Sequence, residues 1–347
     1  MLGSTDAPAE PKRARHADGG GGDAGDDRLS ALPDDLLRTI LSRLMAQQTV
    51  QTCLLSTRWR HLWRAVPCLD IDHRYIRRGF DDFTVKLRDI ASHISSGCPA
   101  LEDVQLERCC FFLTSNIKIA SPSLKKLVVH GECTVDEEDE FEVFKLIIDA
   151  TALVSLRLRA ELHHIIDTAE PHTMPSLVDA WIHLRWIEHD VKHQLGILGE
   201  LSNVTTLHLL HFAVTLLFNE SHENPPLFKF ENLTTLFLDE CRISDDFLGL
   251  QQYLENSCNL QKLTLRHCKV LDFHPTNEVM ERCQSYSKDL PHFRCKNLRL
   301  CKIIYRDGDV SVHLLVKFFV GMWRNLPNNK IELTPVKEEK QKSGRTQ

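Results

Sequence analysis

The chain has 347 residues, 42 % of them hydrophobic and 26 % charged, with a formal net charge of −6 at pH 7. That length suits two or three domains. The charge lacks the basic excess of a nucleic-acid binder. No apolar run approaches the roughly 18 residues of a membrane span, and the nearest, His313 to Trp323, is broken by Lys317. The expectation is therefore no nucleic acid and no membrane. The start, MLGSTDAPAEPKR, is polar and lacks the apolar centre of a secretory signal. Twelve cysteines without such a signal point to free thiols in a reducing compartment, nucleus and/or cytoplasm. Residues 1–27 read as a disordered tail. Within it Pro11-Lys12-Arg13-Ala14-Arg15 reads as a solvated basic patch, with a nuclear import signal as the alternative.

Leu29 to Asp72 holds three short amphipathic segments. Leu32-Pro33 opens the first, with Pro where a helix loses no hydrogen bond. Asp34 and Asp35 suit the positive end of the helix dipole. Leu36, Leu37, Ile40, Leu41 and Leu44 follow at helical spacing. The second segment carries Val50, Cys53, Leu54 and Leu55. Ser56 can cap the third, which carries Trp59, Leu62 and Trp63 before Pro67 stops it. Three helices this short bury too little alone. Their apolar excess must be covered by the rest of the chain or by another protein.

In its sequence LSALPDDLL, IL, LLSTRWRHLWR and LDID, this stretch resembles the plant form of the F-box. The resemblance implies an F-box over residues 28–75 that docks onto an adaptor of the SKP type, and through it onto the cullin and RING subunits of an SCF ubiquitin ligase. It implies adaptor contact at or near Leu32, Pro33, Leu36, Leu37, Ile40, Leu41, Leu44, Val50, Leu54 and Leu55, with Trp59 and Trp63 mainly core. Arg43, Met45 and Gln47 depart from the Phe-Leu-Pro of many relatives and leave the helical pattern intact. A plain helical cap on the repeats that follow is the alternative.

After a basic link, Phe83, Leu87, Ile90 and Ile94 predict a linker helix within 76–97. From residue 98 to about 305 the pattern L-x-x-L-x-L recurs. Its first positions are Leu101, Leu124, Leu153, Leu177, Val204, Leu233, Leu260 and Leu298, in steps of 23, 29, 24, 27, 29, 27 and 38. The last step holds an unplaced insertion near His274 to His292. Each unit alternates as a strand does. The spacing resembles that of leucine-rich repeats, so the whole chain resembles a plant F-box/leucine-rich-repeat protein. The expected fold class is α/β, a three-helix F-box followed by a solenoid. Parallel strands would line its concave side, with helical or irregular segments outside. Ser244 is expected to cap one outer helix, with Asp245 and Asp246 in its first turn and Phe247, Leu250 or Gln251, and Leu254 on its face. A terminal helical cap is predicted within 306–334, carrying Val312, Leu315, Phe319 and Met322, and a disordered tail over 335–347.

No catalytic motif stands out. Cys109, Cys241 and Cys268 each follow the first Leu of their unit by eight residues. That is the inward-turning Asn-or-Cys position of such repeats. No C-x-x-C pair exists, so no zinc, other metal or cofactor is expected. His189 and His193, four apart, and His163-His164 read as surface residues. The acidic run Asp136 to Glu140 reads as a solvated turn, with a contact for a basic partner as the alternative. By register, the residues between the inward leucines face outward. Among them Arg157, Arg159, Trp181, His183, His208, Phe237, Asp239 and Arg266 are the candidates for binding a target protein, aromatics and Arg being the usual anchors of interfaces. Equally, Trp181 and Phe237 could simply pack on their neighbours. The resemblance implies a non-catalytic substrate receptor of a ubiquitin ligase; the alternative is a leucine-rich-repeat interaction scaffold without a ligase role.

Overall fold

The computed structural model describes residue 29 and residues 31–72, 98–109, 117–131, 144–161, 164–166, 174–185, 197–215, 229–271, 297–322 and 329–336. The expected tail 1–27, the linker helix, the acidic run, His163, His189, His193 and the 274–292 insertion lie outside them, as do residues 337–347 of the expected second tail.

Two short helices come first, α1 (Asp34–Leu41) and α2 (Ala46–Gln51), followed by 3-10 turns at Thr52–Leu54 and Trp59–Ala65. The strands are β1 (Cys68–Asp72), β2 (Asp103–Cys109), β3 (Ile117–Ala120), β4 (Lys126–Gly131), β5 (Phe144–Asp149), β6 (Ser155–Glu161), β7 (His164–Ile166), β8 (Asp179–Arg185), β9 (Thr206–Leu210) and β10 (Ala213–Val214). After them come β11 (Thr235–Asp239), β12 (Arg242–Ser244), helix α3 (Leu248–Glu255), β13 (Lys262–Arg266), β14 (Lys269–Leu271), β15 (Leu300–Arg306), helix α4 (Ser311–Met322) and β16 (Lys330–Val336). The class is α/β. The third segment of the N-terminal module, expected as a helix, is the 3-10 run Trp59–Ala65, the form short connecting pieces often take.

Ten strands form one parallel sheet in the order β1-β2-β4-β6-β8-β9-β11-β13-β15-β16. Every strand up to β15 is laid beside its predecessor in the same way. The carbonyl just before one strand accepts two amides at the start of the next. Pro67 O takes Glu102 and Asp103 N–H, Lys125 O takes Val154 and Ser155, and Val178 O takes Thr205 and Thr206. Thr234 O takes Gln261 and Lys262, and Gln261 O takes Arg299 and Leu300. The shared junction fixes register, so like positions stand in lanes. Leu156, Ala180, Leu207, Leu236 and Leu263 form one inward lane, and Leu158, Ile182, Leu209, Leu238 and Leu265 the other. All ten are buried.

Two smaller parallel sheets, β3-β5-β7 and β10-β12-β14, contribute Ile119, Ile148, Val214 and Ile243 to the same core. Three strands of the large sheet end in a left-handed residue: His211, Glu240 and His267 have φ of 62°, 49° and 51°. The N–H of each reaches the following strand, at Asp239 O, Arg266 O and Ile304 O. The next residue then drops into the core as Phe212, Cys241 or Cys268. The thiols of Cys241 and Cys268 donate back to Leu209 O (3.4 Å) and Leu238 O (3.3 Å). They satisfy backbone of the preceding unit, and burial pushes the Cys241 thiol well up.

Ser244 closes β12 instead of capping α3. The cap position of α3 is held by Phe247, at a left-handed φ of 57°, and Asp246 just before it accepts at Oδ1 from Leu248 N–H (3.0 Å) and from the Ser244 hydroxyl (2.7 Å). Helix α4 buries Leu315 and Phe319 against the last units. Asp309 starts it, accepting from Ser311 N–H (3.1 Å) and pairing with Lys269 Nζ (2.8 Å). The tenth strand, β16, has no counterpart in the sequence reading.

Candidate interaction surfaces

The N-terminal module has its own small core of Leu37, Leu41, Trp59, Leu62 and Val66, with Leu32 and Leu44 packed against it. Helix α1 is amphipathic because Leu37 and Leu41 fall four apart on one face while Leu36 and Ile40 fall on another. Arg58 ties the start of α1 to the third segment. Its guanidinium donates to Asp34 Oδ1 (2.6 Å) and Leu32 O (2.7 Å). The buried Thr49 hydroxyl donates to Leu41 O at 3.1 Å.

Two classes of residue thus separate among those expected at the adaptor contact. Leu37 and Leu41 are fully buried and build the module's core. Leu36 (51 % exposed), Ile40, Leu54 (88 % exposed) and Leu55 stand in solvent. Pro33 is exposed, Leu32 and Leu44 are half-buried, and the Val50 side chain lies outside the described residues. Trp59 is buried in the module's core. Trp63 instead leans on the core of the large sheet. The LDID segment is strand β1, paired residue for residue with β2 from Cys68–Asp103 to Asp72–Glu107.

The second surface is the open face of the ten-stranded sheet, where three lanes of outward residues cross the strands. Near the N-terminal edge the lanes carry Asp70, Asp72, Asp103 and Glu107. Desolvation, then the charges of Glu107, Asp72 and Asp103, hold the Asp70 carboxyl above its ordinary value. Lys126 Nζ lies 2.9 Å from Asp103 Oδ2, and His130 Nδ1 lies 2.8 Å from Glu107 Oε2. The far edge carries Lys262, Arg266, Lys302 and Lys330. Arg266 there binds Asp239 (3.0 Å), so these two target-binding candidates engage each other. Desolvation raises the Asp239 carboxyl, and the Arg266 charge opposes the rise.

The other candidates do come together, at the centre. Arg157 stands opposite Trp181 and Arg159 opposite His183. Trp181 is opposite His208, which is opposite Phe237. The His208 and Phe237 rings stack at 4.0 Å and 10°. Trp181 meets His183 edge-on at 5.8 Å, and His183 meets His211 at 4.9 Å. Lys262 Nζ sits 5.7 Å over the Phe237 ring. Desolvation is the main cause holding the His208 imidazole below its ordinary pKa. His211, unremarked in the sequence, joins this group because the left-handed turn holds it beside the sheet. Among the described residues no group of three or more His, Cys, Asp or Glu side chains could hold a metal.

A module of α1, α2 and 3-10 turns with exposed leucines thus feeds a sheet of regularly repeated parallel strands. Residues 29–70 match the F-box domain. The chain's relatives are plant F-box/FBD/LRR-repeat proteins of Arabidopsis and rice. The MEIOTIC F-BOX protein MOF of Oryza sativa subsp. japonica is 27 % identical over 432 aligned residues, spanning 90 % of this chain and 86 % of that protein. One F-box/FBD/LRR-repeat protein of Arabidopsis thaliana is 52 % identical over 136 residues, 38 % of this chain and 30 % of its own length. Another is 31 % identical over 145 residues, 41 % of this chain and 31 % of its own length. These two alignments each span under a third of the relative.

Proposed function

We propose that the chain is the substrate-recognition subunit of an SCF-type ubiquitin ligase. Its F-box holds an adaptor of the SKP type, and through it the cullin and RING subunits. Its repeats form a leucine-rich-repeat solenoid whose open sheet face holds a target protein. The chain contributes proximity and orientation, and the bond chemistry belongs to the enzymes it gathers. The observation that carries this reading is the exposure of Leu36, Ile40, Leu54 and Leu55 within the residues that match the F-box. Large apolar side chains gathered on one small module mark a surface built to be covered. The regular lanes of the open face, with Trp181, Phe237 and two arginines, support the second half of the reading.

The test is co-purification with an SKP-type adaptor of the native chain and of a Leu54→Asp, Leu55→Asp variant, with folding of both followed by circular dichroism. The native chain carries the adaptor and the folded variant does not. A native chain that leaves the adaptor behind overturns the ligase assignment, and the protein is then a repeat scaffold with a helical end.

A further inference from the structure

The charges of the open face are paired between neighbouring strands on both sides of its centre. Lys126 meets Asp103, His130 meets Glu107, and Arg266 meets Asp239. Arg157 and Arg159 break the pattern. Both are exposed, and neither has a carboxylate partner among the described residues. Their lane neighbours explain why. Arg157 lies between Val128 and Trp181, and Arg159 between His130 and His183. Asp179, opposite Ser155 in the adjoining lane, takes the Ser155 hydroxyl at 3.3 Å. Two permanent cations therefore stand side by side on one strand, against a wall of rings formed by Trp181, His183 and the His208–Phe237 stack. His208, held below its ordinary pKa by desolvation, adds ring surface there more than charge.

We propose that the centre of the open face binds an extended acidic segment of the target protein. Two carboxylates at alternate positions of that segment meet Arg157 and Arg159, and an aromatic or large apolar side chain lies against Trp181 and the His208–Phe237 stack. The inference rests on the receptor reading and names the chemistry of its target. Arg157 and Arg159 are two residues apart on one strand face, so their side chains spring from points about 6.6–7 Å apart. Alternate residues of an extended peptide share that spacing. A guanidinium offers a carboxylate two parallel hydrogen bonds, which adds geometry to charge. The surroundings argue against a nucleic acid. A phosphate backbone needs a longer basic track, and the face turns acidic toward β1 and β2, where Asp70, Asp72, Asp103 and Glu107 would repel it.

The full chain, co-purified with the adaptor, is titrated by fluorescence anisotropy against labelled twelve-residue peptides. One set has two glutamates at alternate positions beside a tryptophan. Matched sets replace both glutamates by glutamine or by phosphoserine, and a single-stranded RNA of twelve nucleotides completes the panel. The glutamate peptides bind best and lose affinity as salt rises. Arg157→Gln and Arg159→Gln each weaken binding about tenfold, the effect of one charge-assisted pair. Trp181→Ala weakens it as well, and all three variants still capture the adaptor. Equal binding of glutamate and glutamine peptides, no binding at all, a requirement for phosphoserine, preference for RNA, or indifference to both arginine substitutions overturns the proposal. Capture of the adaptor is read separately, so its loss in the native chain counts against the ligase reading and not against the peptide chemistry.

Discussion

Gly249 and Gly321 form a pair in which one substitution has opposite consequences. Both lie in helices, where alanine is preferred over glycine by up to about 1 kcal/mol. At Gly321, near the end of α4, an added Cβ meets nothing within 4 Å, so Gly321→Ala keeps part of that gain. At Gly249, in the first turn of α3, the same Cβ would lie 2.3 Å from the carbonyl carbon of Thr215 and 2.6 Å from its Cα and O. Carbon atoms settle at about 3.5–4.0 Å, so helix and backbone must separate by roughly 1 Å or more. The obstacle is main chain and cannot rotate aside as a flexible side chain would. Pushing α3 outward also loosens Leu250, Tyr253 and Leu254, all buried in the main core. Overpacking of this kind costs about 1–3 kcal/mol and exceeds the propensity gain. Gly249→Ala is therefore expected to destabilise by about 1–2 kcal/mol and Gly321→Ala to stabilise by about 0.5 kcal/mol. Urea titration followed by far-UV circular dichroism reads both as midpoint shifts at constant slope. A Gly249→Ala midpoint at or above that of the native chain would refute the close approach of α3 to Thr215.

The N-terminal module should show a division between core and surface. Leu37→Ala or Leu41→Ala lowers stability by about 2–5 kcal/mol, while Leu54→Asp stays within about 0.5 kcal/mol; equal thermal shifts in the two classes would reverse the assignment of faces. Thiol labelling followed by peptide mapping should find Cys258, which is exposed, modified in the native chain. Cys241, Cys268 and Cys301 should react only on unfolding, since they are buried and burial raises the thiol pKa of Cys241 and Cys301. His208 adds a pH dependence whose sign follows from its lowered pKa. The unfolded imidazole takes a proton near 6.5 and the folded one resists it, so its contribution is constant above that pH and stability falls as the pH drops below it. Urea midpoints at pH 7.5 and 5.5 should differ less in His208→Phe than in the native chain; an unchanged difference would refute the desolvated state of the ring.

The large sheet was legible because its signal is repeated and binary. Leu207 and Leu209 point in, Thr206, His208 and Leu210 point out, and a slip of one residue would have exchanged them in every unit. The buried Cys241 and Cys268 at the eighth position were legible for the same reason, while the Cys109 side chain lies outside the described residues. Other features had no repeat to amplify them. The small sheets use strands as short as Ala213–Val214, too short for any periodicity. Strand β16 sets Ile331 beside Cys301 and Leu333 beside Ile303, yet Leu333 stays exposed at this edge, and Pro335 and the charged residues beyond it read as the start of a tail. Pro is tolerated at an edge, where no further strand asks for its amide. In α1 the helical stripe was visible, but which of its two apolar faces meets the module's own core depends on where Trp59, Leu62 and Val66 land. For the open face the sequence lists outward residues without their pairing. Asp239 and Arg266 are 27 positions apart and meet only through the register of β11 and β13.

The joint between module and sheet bears on how position could be transmitted. Only Val66 and Pro67 separate the 3-10 run from β1. Val66 is buried in the module's core, and Pro67 O accepts both Glu102 and Asp103 N–H at the start of β2. Trp63, from the same 3-10 run, packs against the sheet's core. The last segment of the F-box match is thus the first strand of the sheet. A flexible tether at this point would let a bound target sample a wide volume, and the orientation gained by holding it would be lost. A strand shared by both parts removes that freedom, because turning one against the other would break ladder hydrogen bonds and unseat Trp63. If the chain is the receptor proposed above, whose contribution is placement alone, the β1–β2 ladder matters as much as either proposed binding surface.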